Sequence, residues 1–205
     1  YPLDPELEDE LFVGLDDAIF VQIENKLTEK LKENFGLFAH TLLYDTTNFF
    51  TYIEAPTRAK LANTGHNKDA HHHLRQVGLA LCVDKEWGIP LFYRLYRGNV
   101  QDAKTFSGVV TELVTAIKDG FEHVDDLVLV LDKGNNSKTN FEALQGKLNW
   151  IGSLVPTHHK DLLEWPLEHY EGVWTDCRYH RLVRTVMGIE CTLVLTYNEK
   201  LARKQ

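Results

Sequence analysis

The sequence predicts an α/β protein whose sheet opens with three antiparallel strands and continues through strand–helix–strand crossovers. Three observations carry that expectation. Residues 76–84 and 89–96 are apolar runs of strand length, separated by the turn Lys85-Glu-Trp-Gly88, which is hairpin spacing. Residues 127–132, Leu127-Val-Leu-Val-Leu-Asp132, form another run that is apolar until its last residue. Between hairpin and run, Phe106, Val109, Val110, Leu113, Val114 and Ile117 recur with helical spacing.

Each element follows from its own residues. Ile19, Ile23, Leu27 and Leu31 recur every four positions within 15–35, which predicts a helix stopped by Gly36; it reads as a core-packing helix or a connector. His40-Thr-Leu-Leu-Tyr-Asp45 is rich in strand formers and ends in a carboxylate. Residues 55–75 lack periodicity and contain Pro56 and Gly65, which predicts a loop. Asp102 stands in a capping position for a helix through Lys118. The 127–132 run, apolar throughout its strand, predicts burial on both faces. Ser137 is placed to cap a helix over 138–148 with Phe141, Leu144 and Leu148 on one face, and Trp150-Ile-Gly-Ser-Leu-Val155 reads as a further strand. Three strands, helix, strand, helix, strand, joined by right-handed crossovers, is the order of a ribonuclease-H-like mixed sheet. Residues 156–197 change character, with short strands predicted at 172–177, 181–186 and 189–196 and a hairpin around Met187-Gly188. The predicted organisation is a helical N-terminal connector over 1–36, the first part of a ribonuclease-H-like core over 37–155, and a β-rich insertion over 156–205.

Composition bounds the function. At 205 residues, 43% hydrophobic and 25% charged, the chain can bury a core without staples. Cys82, Cys177 and Cys191 are odd in number, far apart and without a CxxC pair, so neither a disulfide framework nor a zinc site is indicated. A reducing, cytoplasmic setting is the expectation. No apolar stretch approaches the roughly 20 residues that span a bilayer, and neither a signal peptide nor a membrane partner is expected. The chain begins at Tyr1 and reads as a piece of a longer protein. A net charge of −8 lowers the expectation of duplex binding by this piece alone, although affinity for phosphate rests on local basic clusters.

The chemistry centres on two strands that end in aspartate, Leu42-Leu-Tyr-Asp45 and Leu129-Val-Leu-Asp132. In an open α/β sheet, functional groups collect at strand ends. If the strands are neighbours, two carboxylates converge, and like charges brought together call for a cation between them. Hard oxygen ligands favour magnesium or manganese, and a carboxylate-bound metal pair is a standard device for attacking a phosphodiester. The bland reading is an aspartate capping a turn after each strand. His66, His71, His72 and His73 share a polar loop with Arg58, Lys60, Lys68 and Arg75, a set better suited to a solvent-exposed loop near DNA than to a histidine–metal site. Lys133 and Lys138, beside Asp132, are further DNA-contact candidates or ordinary surface lysines. Arg178 and Arg184 would share one strand face, with Arg181 opposite.

Around these acids the motifs fall in a telling order: Asp45-Thr-Thr at the first strand, Gly88-Ile-Pro-Leu in the hairpin, Arg97-Gly-Asn-Val-Gln-Asp102 at the helix start, and Asp132-Lys-Gly-Asn-Asn-Ser137 after the later strand. As a set, over roughly residues 40 to 155, they resemble the DDE-domain transposases of bacterial insertion sequences whose core carries a β-rich insertion. The resemblance implies a transposase catalytic fragment performing metal-dependent strand cleavage and strand transfer, with Asp45 and Asp132 as the first two catalytic and metal-binding acids. It implies two Mg2+ or Mn2+ ions, transposon ends and target DNA as partners, and a homo-oligomer. The third acid, a glutamate on a helix with a Tyr/Arg-rich motif, is expected beyond Gln205, and the fragment alone is expected to be inactive. Glu190 and Glu199 lack the surrounding pattern. His71-His-His73 departs from the arginine and acidic or polar residue the family would place there. The alternative is a catalytically inactive truncated or domesticated remnant that binds DNA or protein; a nuclease of the same fold is a third reading.

Overall fold

A period-two alternation of buried and exposed residues builds the main sheet, seen most clearly in the strand Arg75–Asp84, where every second side chain is buried. A computed structural model describes residues 17–35, 40–53, 60–65, 73–120 and 126–204. Helix α1 (Asp17–Phe35) is followed by β1 (Thr41–Thr51), the two-residue β2 (Asn63–Thr64), β3 (Arg75–Asp84), β4 (Pro90–Arg97) and α2 (Asp102–Gly120). Then come β5 (Val128–Leu131), a 3-10 turn (Lys133–Asn135), α3 (Lys138–Leu144) and β6 (Asn149–Ile151). The remainder holds α4 (Lys160–Leu163), β7 (Gly172–Trp174), β8 (Cys177–Val186), β9 (Ile189–Tyr197) and α5 (Glu199–Ala202).

The main strands lie in the order β4-β3-β1-β5-β6, with β2 extending the β4 edge of β3. β1 and β3 pair antiparallel, as do β3 and β4, whereas β1, β5 and β6 run parallel. This is the ribonuclease-H-like mixed sheet. A separate antiparallel sheet contains β7-β8-β9.

Both crossover helices pack on one face. Leu42, Tyr44, Ala80, Cys82, Phe92, Leu129 and Leu131 from the sheet form one core with Phe106, Val110, Leu113, Val114 and Ile117 of α2 and Phe141 and Leu144 of α3. Tyr44 meets Phe106 edge to face at 4.8 Å between ring centroids. Each fully buried Val, Leu, Ile or Phe among them contributes about 1.5–3 kcal/mol. The expectation that the 127–132 run is buried on both faces fails. Leu129 and Leu131 are buried, but Val128 and Val130 are only half-buried. The second face, which also carries Leu43, Phe49, Tyr93, Leu95 and Ile151, stays largely exposed because α2 and α3 both pack on the first.

Helix α1 forms where the four-residue spacing places it, yet Ile23 and Leu27 are exposed, so the core-packing expectation does not hold for that stripe. Glu24 of α1 instead reaches Arg94 of β4 at 3.9 Å. In the second sheet, Met187 and Gly188 both have positive φ, 53° and 87°, as a two-residue turn with the hairpin's twist requires. The turn end of the hairpin is fixed to the larger sheet's core through Ile189, with Cys191 packed alongside. No described helix is long and apolar enough to cross a membrane.

Candidate active site

Asp45 and Asp132 lie side by side. Parallel pairing of β1 with β5 sets Tyr44 opposite Leu131, and the two aspartates are the next residues along their strands. Asp132 keeps extended backbone (φ −71°, ψ 157°), so its chain continues the strand direction, and neighbouring strands are about 5 Å apart. Side chains alternate, so the buried Tyr44 and Leu131 on the helix-covered face leave both aspartates on the open one, where both are exposed. The expectation that β1 ends at Asp45 is corrected. β1 runs on through Thr46, Thr47, Phe49 and Phe50, β-branched and aromatic residues that pair with β3 as far as Thr51. What ends at Asp45 is the parallel neighbour, so the acid sits where β1 loses β5 and keeps β3.

Asp45 Oδ1 accepts a hydrogen bond from the Thr46 backbone N–H at 2.7 Å. Among the described residues neither carboxylate is ion-paired. Across β3 and β4, Asp45 is aligned with Leu81 and then with the exposed Tyr93, whose hydroxyl is held above its ordinary range by partial desolvation and by Glu24. Two hard oxygen donors on adjacent strands at an open face suit Mg2+ or Mn2+, ions bound through one or two carboxylates plus substrate phosphates. Among the described residues no third His, Cys, Asp or Glu joins them in a metal-sized group.

The loop after Asp132 contains polar groups that sequence reasoning missed. Asn135 and Asn140 are buried, and Asn140 Nδ2 donates to the Asn135 carbonyl at 2.6 Å. Ser137 Oγ accepts from the Asn140 N–H at 3.2 Å, the predicted helix cap. Asn136 Nδ2 donates to the Ser153 carbonyl, beyond β6. The available signal was that Asn140 precedes Phe141 and stands one helical turn before Leu144, which places an amide on the apolar stripe of α3.

The basic candidates scatter. Lys68 lies outside the described residues. Arg75 shares the open face with Asp45, but it pairs with Thr51, and its guanidinium donates to the Ala62 carbonyl at 3.1 Å. Six residues along β3 separate it from the Asp45 partner Leu81, roughly 20 Å. Lys133 is exposed in the turn directly after Asp132. Lys138 is exposed at the start of α3, 3.7 Å from Glu142 and close to the Met187-Gly188 turn. In the smaller sheet Arg178 and Arg184 share a face opposite Tyr197 and Cys191, with Arg181 on the other face; Arg184 pairs with Asp161. Glu190 is exposed, and Glu199 pairs with Arg203 at 2.5 Å.

No protein-family model matches the chain, and no curated protein matches it in sequence. Among solved structures it is similar to the Mos1 transposase paired-end complex with left transposon end, at 15% identity and TM-score 0.39 over 72% of this chain and 45% of that one. It is also similar to the catalytic domain of Mos1 mariner transposase, at 14% identity and TM-score 0.37 over 72% of this chain and 66% of that one. A third neighbour is the piggyBac transposase synaptic complex with hairpin DNA, at 13% identity and TM-score 0.37 over 80% of this chain and 35% of that one. The neighbours are transposases at long distance, and the chain spans less than half the length of the first.

Proposed function

We propose that this chain carries part of the catalytic core of a DDE-type DNA transposase, in which Asp45 and Asp132 hold divalent metal for phosphoryl transfer at transposon ends. The observation that supports this is the pairing of β1 with β5, which brings the two aspartates together at the open face of a ribonuclease-H-like sheet. Two Mg2+ or Mn2+ ions, when bound, would activate the attacking oxygen and stabilise the leaving one. The chain's own part is to hold both carboxylates on adjacent strands at one face of the sheet and to fix Asp45 through the Thr46 N–H. Lys133, next to Asp132 and exposed, is the DNA-phosphate contact that this geometry favours. DNA ends and target DNA are the proposed substrates, met by a homo-oligomer in a bacterial cytoplasm.

The test is strand cleavage of transposon-end DNA in Mg2+ by the complete protein, third acid included. Asp132→Ala and Asp45→Ala each abolish cleavage and leave end binding measurable. Cleavage retained by either variant overturns the assignment. End binding without cleavage by the unaltered protein assigns it instead as a binding module.

A further inference from the structure

We propose that Asn140 is a positioning residue that sets the place of Asp132 by holding the backbone of the loop that follows it. The inference rests on the proposed role of Asp132 and deepens it.

The geometry starts from how β5 is left. After Leu131 the chain has six residues, 132 to 137, in which to leave the sheet and enter α3. It does so by one 3-10 turn, in which the Asn135 N–H donates to the Asp132 carbonyl at 3.0 Å and the Asn136 N–H to the Lys133 carbonyl at 3.2 Å. A turn this short has few bonds of its own, and its geometry is poorer than that of an α-helix. Two side-chain amides supply the rest. Asn140, fully buried in α3, donates to the Asn135 carbonyl, so the same residue whose N–H grips Asp132 is gripped from the helix. Asn136 ties the far side of the loop to Ser153, while its Oδ1 lies 2.9 Å from where a Cβ on Gly152 would stand. The anchor beneath Asn140 is rigid, because Phe141 stacks on Trp150 at 4.2 Å between centroids with an 8° interplanar angle.

An amide buried in a core costs free energy unless it is bonded, so an apolar residue would fill this position of α3 more cheaply. What the amide adds is direction. Its bond to Asn135 leads through one further backbone bond to Asp132 itself. Losing a group that orients a metal ligand typically costs about 10–100-fold in metal affinity.

The test titrates Mn2+ alone into the intact 205-residue chain, following free Mn2+ by electron paramagnetic resonance, and compares Asn140→Ala and Asn140→Leu with Val110→Ala. Val110 lies in the same core on α2 and controls for lost stability. The expected result is Mn2+ affinity weakened roughly tenfold or more in both Asn140 variants and unchanged in Val110→Ala. Hydrogen exchange provides a second reading: the amides of Asn135 and Asn136 lose protection in the Asn140 variants while those of α2 keep theirs. Asn140 variants that bind Mn2+ as tightly as Val110→Ala overturn the proposal. If Asp45→Asn and Asp132→Asn leave Mn2+ binding unchanged, or the unaltered chain binds none, the reading of these two aspartates as a metal site of this chain fails instead. In that case unchanged exchange at Asn135 and Asn136 overturns the Asn140 inference separately, and lost protection upholds its hold on the loop.

Discussion

Cys82 lies near the end of β3, fully buried, and burial pushes its thiol from an ordinary 9.0 up to about 12. The unfolded chain would release that proton near pH 9, whereas the folded chain keeps it until about pH 12. Between those values the unfolded state binds fewer protons, so stability is present below pH 9 and is lost as pH rises. The loss approaches about 1.4 kcal/mol per pH unit once the unfolded thiol is ionised. Cys82→Ala removes this component. Urea unfolding at pH 8 and pH 10 should show the unaltered chain losing roughly 1 kcal/mol more than Cys82→Ala over that interval. Equal losses would show that the thiol is solvated in the fold. The aspartates lie at the other extreme of burial. Both are exposed, and their meaning comes from their neighbours across the sheet.

At the scale of elements, two glycines show what the backbone requires. Gly98 follows β4, and a Cβ there would lie 1.9 Å from the Gln76 carbonyl oxygen of β3, while the Gln76 amide donates to the Gly98 carbonyl at 2.6 Å. Backbone meets backbone, so nothing flexible can give way. Gly108, within α2, has nothing within 4 Å of where a Cβ would stand. Gly98→Ala should destabilise by roughly 1–3 kcal/mol through overpacking. Gly108→Ala should stabilise by about 0.5–1 kcal/mol, since glycine in a helix interior loses more conformational freedom than alanine. Chemical denaturation of both variants checks the pair of signs, and a neutral Gly98→Ala would show that the β3–β4 crossing relaxes. The elements themselves were legible where periodicity was strong. The stripe from Phe106 to Ile117 and the alternation along β3 appear in place. The extent of β1 was not legible from the run ending at Asp45, because Asp45 and Asn48 interrupt the apolar pattern although the strand formers Thr46, Thr47, Phe49 and Phe50 go on pairing with β3. The clamp on the Asp132 loop was hidden for a similar reason: its donors are amides, and an isolated Asn in a helix carries no sign of its partner.

For the whole molecule, sequence order was sufficient to expect three antiparallel strands followed by parallel crossovers, since a run such as Leu127 to Leu131 between two helical stripes has few other places to go. Sidedness was not legible. The same run predicts burial on both faces, and only the packing of α2 and α3 on one of them reveals that the face bearing Asp45 and Asp132 is open. The link between the two sheets was equally invisible, because Ile189 looks like any alternating strand residue. In the fold it is buried in the core shared with α2 and α3, beside the buried Val186 across the turn, whereas Val194 farther along β9 is exposed. The smaller sheet is therefore anchored by the turn end of its hairpin. Ile189→Ala should cost about 2–5 kcal/mol, the range for truncating a core isoleucine, and should lower the stability of the large sheet itself. Val194→Ala, on the same strand, should change it by no more than about 0.5 kcal/mol. Hydrogen exchange of β3 and β5 amides, read beside a urea melt, distinguishes the outcomes. If Ile189→Ala loosens only β8 and β9 and leaves β3 and β5 protected, the hairpin is an appendage of the core. Loss of protection in all four strands would make the two sheets one cooperative unit.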